Sequence, residues 1–223
     1  MTRTDAINGC TDLHADDPMR EIVRHANGND LSRIVAIHQK AFRYFFLTRL
    51  GEVFLHRYYE LVLGYGAGII LVSERGASVD GFVCGFVNPP EFYQRMWRKA
   101  SRFIAPGLRA LAGDPSLAAG VVHGVQRIWT SASRARPGWC ELASIAVMPE
   151  VSGLGLGRRL VEAFVARARF MNAQCVYLTT DANGNASANA LYRQVGFRRT
   201  HQFLQRKGRW MNEYVLCCIE EDR

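Results

Sequence analysis

The chain has 223 residues, enough for one domain with a sizeable core or one domain with an elaboration. Its 48% hydrophobic and 22% charged residues are those of an ordinary globular protein, which excludes a disordered or collagen-like chain. The net charge of +8 would suit anionic partners, but no apolar run approaches a membrane span, the longest candidate (62–72) being cut by three glycines.

Taken in order, MTRTDAINGCTDLHADDP is polar and lacks the apolar core of a signal peptide, so residues 1–18 are expected to be a mobile tail of a cytoplasmic protein. The six cysteines form no C-x-x-C pair and read as reduced, mostly buried thiols rather than metal ligands. Glu21 to Ala26 reads as a first strand, with Asp30 as N-cap of a helix Leu31–Phe42. Leu50, Phe54, Tyr58 and Leu61 then recur at helical spacing. Gly68–Ser73 and Val79–Val87 have the pattern of two strands joined by a turn at Glu74-Arg75-Gly76.

Between Asn88 and Gly138 the pattern turns helical and basic. Phe92, Tyr93, Met96, Trp97, Ala100, Phe103 and Ile104 share one face, and Arg95, Arg98, Lys99 and Arg102 lie mostly on the other. A break is expected at Pro106-Gly107, followed by more helical pattern over 108–111 and 117–129. From Glu91 to Arg136 eight Arg and Lys stand against Glu91 and Asp114, a net of +6 out of the chain's +8. This piece reads as a lid or partner surface favouring an anionic acceptor, against the alternatives of a solvated basic face or peripheral membrane contact. Nucleic acid is disfavoured, because the basic cluster carries no recognised binding module.

The stretch CELASIAVMPEVSGLGLGRRLVEAFVARARF organises the rest. Glu141–Val147 is strand-like, Met148-Pro149 ends it, and Gly153, Gly155 and Gly157 allow a sharp turn before an amphipathic helix carrying Leu156, Leu160, Phe164 and Ala168. The free amides at such a helix start, with the positive end of its dipole, suit a phosphate. The ligand is not read by the two common nucleotide motifs. In G-x-G-x-x-G the last glycine would fall at Arg158 or Leu160, and no lysine follows for a P-loop. Further strands (174–180, 197–203 and 211–219) and a helix (186–195) complete the chain.

The glycine turn resembles the pyrophosphate motif [RQ]-x-x-G-x-[GA] of the GNAT superfamily of acetyl-CoA-dependent N-acyltransferases, with Ser152 in place of Arg or Gln, then Gly155 and Gly157. Downstream, TTDANGNASANALYRQVGF is similar to the family's N-x-x-A-x-x-x-Y followed by G-F, at Asn185, Ala188, Tyr192, Gly196 and Phe197. The resemblance implies an α/β (α+β) fold: a mixed, mostly antiparallel twisted sheet flanked by helices, here one domain over 19–223 with the helical insertion at about 89–138. It also implies acetyl-CoA as cosubstrate, no metal, and direct acetyl transfer to an amine acceptor in a ternary complex. Backbone of Ile145, Ala146 and Val147 would hold the pantetheine, and amides of Gly153, Leu154, Gly155, Leu156 and Gly157, beside Ser152 and Arg158, the pyrophosphate. Asn185 would contact the cofactor and Tyr192 would protonate the departing sulfur. Glu141, flanked by Trp139, Cys140 and Leu142, is the candidate base or acceptor ligand, with His123 a distant second. The acceptor is expected to be a small primary amine, such as an amino sugar on a nucleotide. A protein or peptide amine and a non-catalytic acyl-CoA-binding module are the alternatives.

Overall fold

The computed structural model describes residues 21–76, 78–114, 137–205 and 208–218. The tail expected over 1–18, the second half of the insertion and His123 lie outside them. Seven strands form one sheet in the order β1-β2-β3-β4-β5-β7-β6, and every neighbouring pair is antiparallel except β4 and β5. The mixed, mostly antiparallel sheet expected from the sequence is therefore observed.

The strands are β1 (Glu21–His25), β2 (Gly68–Arg75), β3 (Ser78–Val87), β4 (Trp139–Val147), β5 (Cys175–Asp181), β6 (Arg198–Gln205) and β7 (Arg209–Cys217). Strand β3 is buried from Val79 to Val87, so both sheet faces are covered there. On one face lie α1 (Leu31–Ala41) and α3 (Glu52–Leu63), preceded by the short α2 (Phe46–Arg49). They bury Ile34, Leu55, Tyr59 and Val62 against Phe82 and Phe86. On the other face α6 (Leu156–Phe170) buries Leu160, Phe164 and Val165 against Val83, Leu142 and Val176, beside α7 (Ala186–Gln194). Each fully buried aliphatic or aromatic side chain there contributes roughly 1.5–3 kcal/mol of transfer free energy. Gly85 makes the closest approach: a Cβ there would lie 2.5 Å from the Phe164 ring and 2.0 Å from the Glu141 carbonyl.

Three local expectations are corrected. Asp30 stands at the N-cap of α1 as expected but makes no side-chain cap bond; its carboxylate takes the Asn27 amide at 2.7 Å and both terminal guanidinium nitrogens of Arg24 at 2.8 and 2.9 Å, while Asn27 caps a 3-10 turn. The helical period expected over 45–64, with Leu50 and Phe54 on one stripe, is broken at Gly51, whose φ of 91° lies outside the helical range. In the insertion, α4 (Pro89–Arg98) and α5 (Ser101–Gly113) part at Lys99-Ala100, and α5 runs through Pro106. Proline removes one helical hydrogen bond, yet α5 is tied on both sides of it: Phe103 packs on Phe54 of α3 with ring centroids 5.1 Å apart, and Asp114, just past the helix, pairs with Arg49 at 2.6 Å. Among the described residues no helix is long and apolar enough to cross a membrane.

Candidate active site

The sheet opens in its middle. Strands β4 and β5 pair only at Trp139↔Cys175, Cys140↔Val176 and Glu141↔Tyr177. Beyond that point β4 stays paired with β3 as far as Val147↔Gly81, and β5 stays paired with β7 as far as Asp181↔Met211. Each strand is thus held on its outer side while the inner edges part. A bulge helps to part them: Cys84 faces Ser144 and Gly85 faces Leu142, so Ala143 is an extra residue, and such an insertion bends its strand. Ala143, Ser144 and Ile145 are half-buried although they belong to a central strand. The inner edges present backbone donors and acceptors that call for an extended partner carrying amides of its own.

The glycine turn lies at the C-terminal end of β4. After a 3-10 turn at Pro149–Val151, Ser152 is extended, and Gly153 and Gly155 adopt φ of 86° and 79°. Gly155 is the N-cap of α6 and makes no side-chain cap bond; the first helical bond runs from the Arg159 amide to the Gly155 carbonyl at 3.1 Å. The amides of Leu156, Gly157 and Arg158 therefore stand free of the helix ladder at its positive end. A Cβ at Gly153 or Gly155 would meet nothing within 4 Å. The Arg158 side chain pairs with Glu162 at 2.7 Å, and Arg159 pairs with Glu21.

On the other bank, Asn185 precedes α7 and donates to Thr180 Oγ1 at 2.8 Å. Next to it is a residue that the sequence did not single out. Asn189 is buried, donates to the carbonyls of Asp181 and Asn185, and accepts from Asn212 and Tyr214, fastening α7 to β5 and β7. Tyr192 is buried between Phe197 and Tyr214, and burial pushes its phenol up to about 12. At physiological pH it holds its proton and is a proton donor rather than a base.

Glu141 occupies the last paired position, at the vertex of the split. Tyr93 of α4 donates to both carboxylate oxygens at 3.1 and 2.9 Å, and Tyr177 of β5 donates to Oε2 at 2.8 Å. Burial, with Glu141 beside it, raises the Tyr177 phenol well above its ordinary range. Glu141 pairs with Phe86, which belongs to the α1/α3 layer, whereas Tyr192 belongs to the α6 layer. The structure therefore sets the two candidate proton-transfer residues on opposite faces of the sheet, flanking the split. Tyr93 and Tyr177 were invisible as site residues, being 48 and 36 positions from Glu141. Only the topology brings them to it. Among the described residues no three His, Cys, Asp or Glu side chains gather where a metal could bind, and the five described cysteines are free thiols.

The described basic residues of the insertion differ in their surroundings. Arg95 donates to the Gly64 carbonyl at the end of α3 at 2.9 Å and lies over the Tyr65 ring, whereas Arg98 and Arg102 are exposed.

Comparison with known proteins bears on the fold and the family. No curated protein matches the sequence. Among solved structures, yncA from Salmonella typhimurium, with its cofactor acetyl-CoA, superposes with a TM-score of 0.61 at 19% identity, over 91% of this chain and 96% of that one. A ribosomal-protein-alanine N-acetyltransferase from Brucella melitensis gives 0.58 at 20% identity, over 88% and 99%. An N-acetyltransferase from Staphylococcus aureus Mu50 gives 0.60 at 17%, over 90% and 99%. These likenesses are of fold. The profile of the acetyltransferase (GNAT) family matches residues 31–197, from the first helix to the phenylalanine behind Tyr192. The chain belongs to the GNAT acetyltransferase family.

Proposed function

We propose that the protein transfers the acetyl group of acetyl-CoA to the primary amine of a small molecule by direct attack. The observation that carries this reading is the split between β4 and β5, with free amides of α6 at one end and Glu141 at the other. Pantetheine would lie in the split against Ile145, Ala146 and Val147 as an added strand, and the pyrophosphate would meet the amides from Gly153 to Arg158. This aligns the thioester with the vertex, and alignment supplies much of the rate of such a transfer. The amine nitrogen bonds to the thioester carbon, the carbon–sulfur bond breaks, and the electron pair leaves on sulfur. Glu141 takes the amine's proton and Tyr192 donates to the departing thiolate.

For the acceptor, Arg98, Lys99 and Arg102 on the insertion support an anionic amine such as a nucleotide-linked amino sugar. A peptide amine is the second reading, favoured by the exposed Trp97, Ile104 and Leu108 on the same two helices. The test is a mass-spectrometric screen of amines with acetyl-CoA, repeated with Glu141→Gln and Tyr192→Phe. Glu141→Gln is expected to lose the acidic limb of the pH–rate profile. Tyr192→Phe should lower turnover with acetyl-CoA affinity nearly unchanged. Acetylation of peptides alone would transfer the assignment to the second reading, and acetyl-CoA binding without any acceptor would make the protein a sensor.

A further inference from the structure

The insertion enters the site through one side chain. Asn88 ends β3 in a left-handed conformation (φ 54°), donates its amide to the Trp139 carbonyl at 2.9 Å, and accepts the Gly138 amide at 2.7 Å on its side chain. The two ends of the insertion are thereby clamped together two residues from Glu141. Helix α4 starts at once with Pro89-Pro90, and one turn on Phe92 is fully buried and stacked on Phe86, centroids 3.8 Å apart and planes 18° from parallel. Phe86 is the strand partner of Glu141. The clamp and the stacked ring leave α4 little freedom, and the next residue, Tyr93, is delivered onto both oxygens of the carboxylate, with its ring edge-on to Phe86 at 5.5 Å.

Resting on the reading of Glu141 as the base, we propose that Tyr93 is a positioning residue for this reaction: the insertion supplies the donor that, with Tyr177, fixes the Glu141 carboxylate at the vertex of the split and favours its ionised form. A carboxylate accepting hydrogen bonds from two neutral donors is stabilised as the anion, and two donors from different elements also remove its rotational freedom. Other titratable groups that act on it among the described residues include Tyr58 of α3, Cys84 of β3 and Cys140 of its own strand. Burial raises each of them and keeps it neutral at physiological pH. A tyrosine that merely glued α4 to the sheet would hold the helix as well through its ring as through its hydroxyl.

The hydroxyl is tested by Tyr93→Phe, which keeps the ring. The Glu141 carboxyl is followed by carbon NMR with glutamate labelled at its side-chain carboxyl, its signal identified by its absence in Glu141→Gln, and titrated in the full chain. Loss of one donor should raise the titration midpoint by about one pH unit in Tyr93→Phe and similarly in Tyr177→Phe, with the melting temperature of each variant checked. The acidic limb of the pH–rate profile, with the amine found in the acceptor screen, should rise by the same amount. An unmoved midpoint in a folded Tyr93→Phe protein overturns the inference while leaving Glu141 as base untouched. A moved midpoint with a pH–rate profile that Glu141→Gln does not alter overturns the base reading, and the catalytic role of Tyr93 with it.

Discussion

Gly155 and Gly157 stand two positions apart, yet their substitution should have unlike effects. At Gly155 the positive φ strains any other residue, at roughly 1–3 kcal/mol, and its Cβ would occupy the open space before the free amides. Gly155→Val is therefore expected to lose stability and to bind acetyl-CoA at least about tenfold more weakly, about 1.4 kcal/mol. At Gly157 a Cβ would meet only Leu191, at 3.5 Å, an ordinary contact. Gly157→Ala should keep both stability and affinity near the parent's, and calorimetry of the two folded variants would check the contrast. His38 carries a different consequence. It is buried on α1, with Nδ1 2.6 Å from the Tyr59 hydroxyl and Nε2 without a partner, and burial lowers its pKa to about 4. Between about 6.5 and 4 the unfolded chain takes up a proton that the folded one refuses, so its contribution is whole above that window and is lost as pH falls through it. The parent should lose about 3 kcal/mol more than His38→Gln between pH 7 and pH 4, read from urea unfolding.

The insertion's helices show where charge can still act at the level of an element. With Arg95 tied to the end of α3, the cations left for steering are Arg98, Lys99 and Arg102. Replacing these three with Gln should raise the acceptor KM at low salt, and the difference should shrink as ionic strength rises, because exposed charges are screened within about 8–10 Å. An unchanged KM at low salt ends the steering idea. The elements that could be read in advance were those whose signal is local. Strand β4, its glycine turn and α6 announce themselves by a branched run, a proline stop and a helical stripe. What sequence spacing could not carry was set by partners from elsewhere. Phe54 and Arg49 anchor α5 on either side of Pro106, at Phe103 and Asp114, where a lone helix would break. Arg24 draws Asp30 away from the cap that its position promised. Tyr93 sits on an apolar helical face that reads as packing, and only the return of β4 beside β3 turns its hydroxyl toward Glu141.

At the scale of the whole molecule, the parting of β4 and β5 makes this a sheet of two blocks, β1–β4 and β5–β7–β6, whose strands join through only three residue pairs. Cofactor binding then bears on stability as well as on chemistry. A ligand that adds a strand to the opening is bound by the native state alone, so it should raise the melting temperature and do so in proportion to the logarithm of its concentration above Kd, with about 2.7 kcal/mol gained at a hundredfold excess. The effect should also be local. The inward-pointing backbone amides of the open edges, alternate ones within Leu142–Val147 and Leu178–Asp181, should exchange with deuterium faster than those of β3 in the free protein, and acetyl-CoA should slow them more than any other strand amides. Uniform slowing across the sheet would mean instead that the opening is not where the ligand lies. The opening between β4 and β5 would then be closed by the cosubstrate itself, a bound chain doing for the middle of the sheet what a strand does elsewhere.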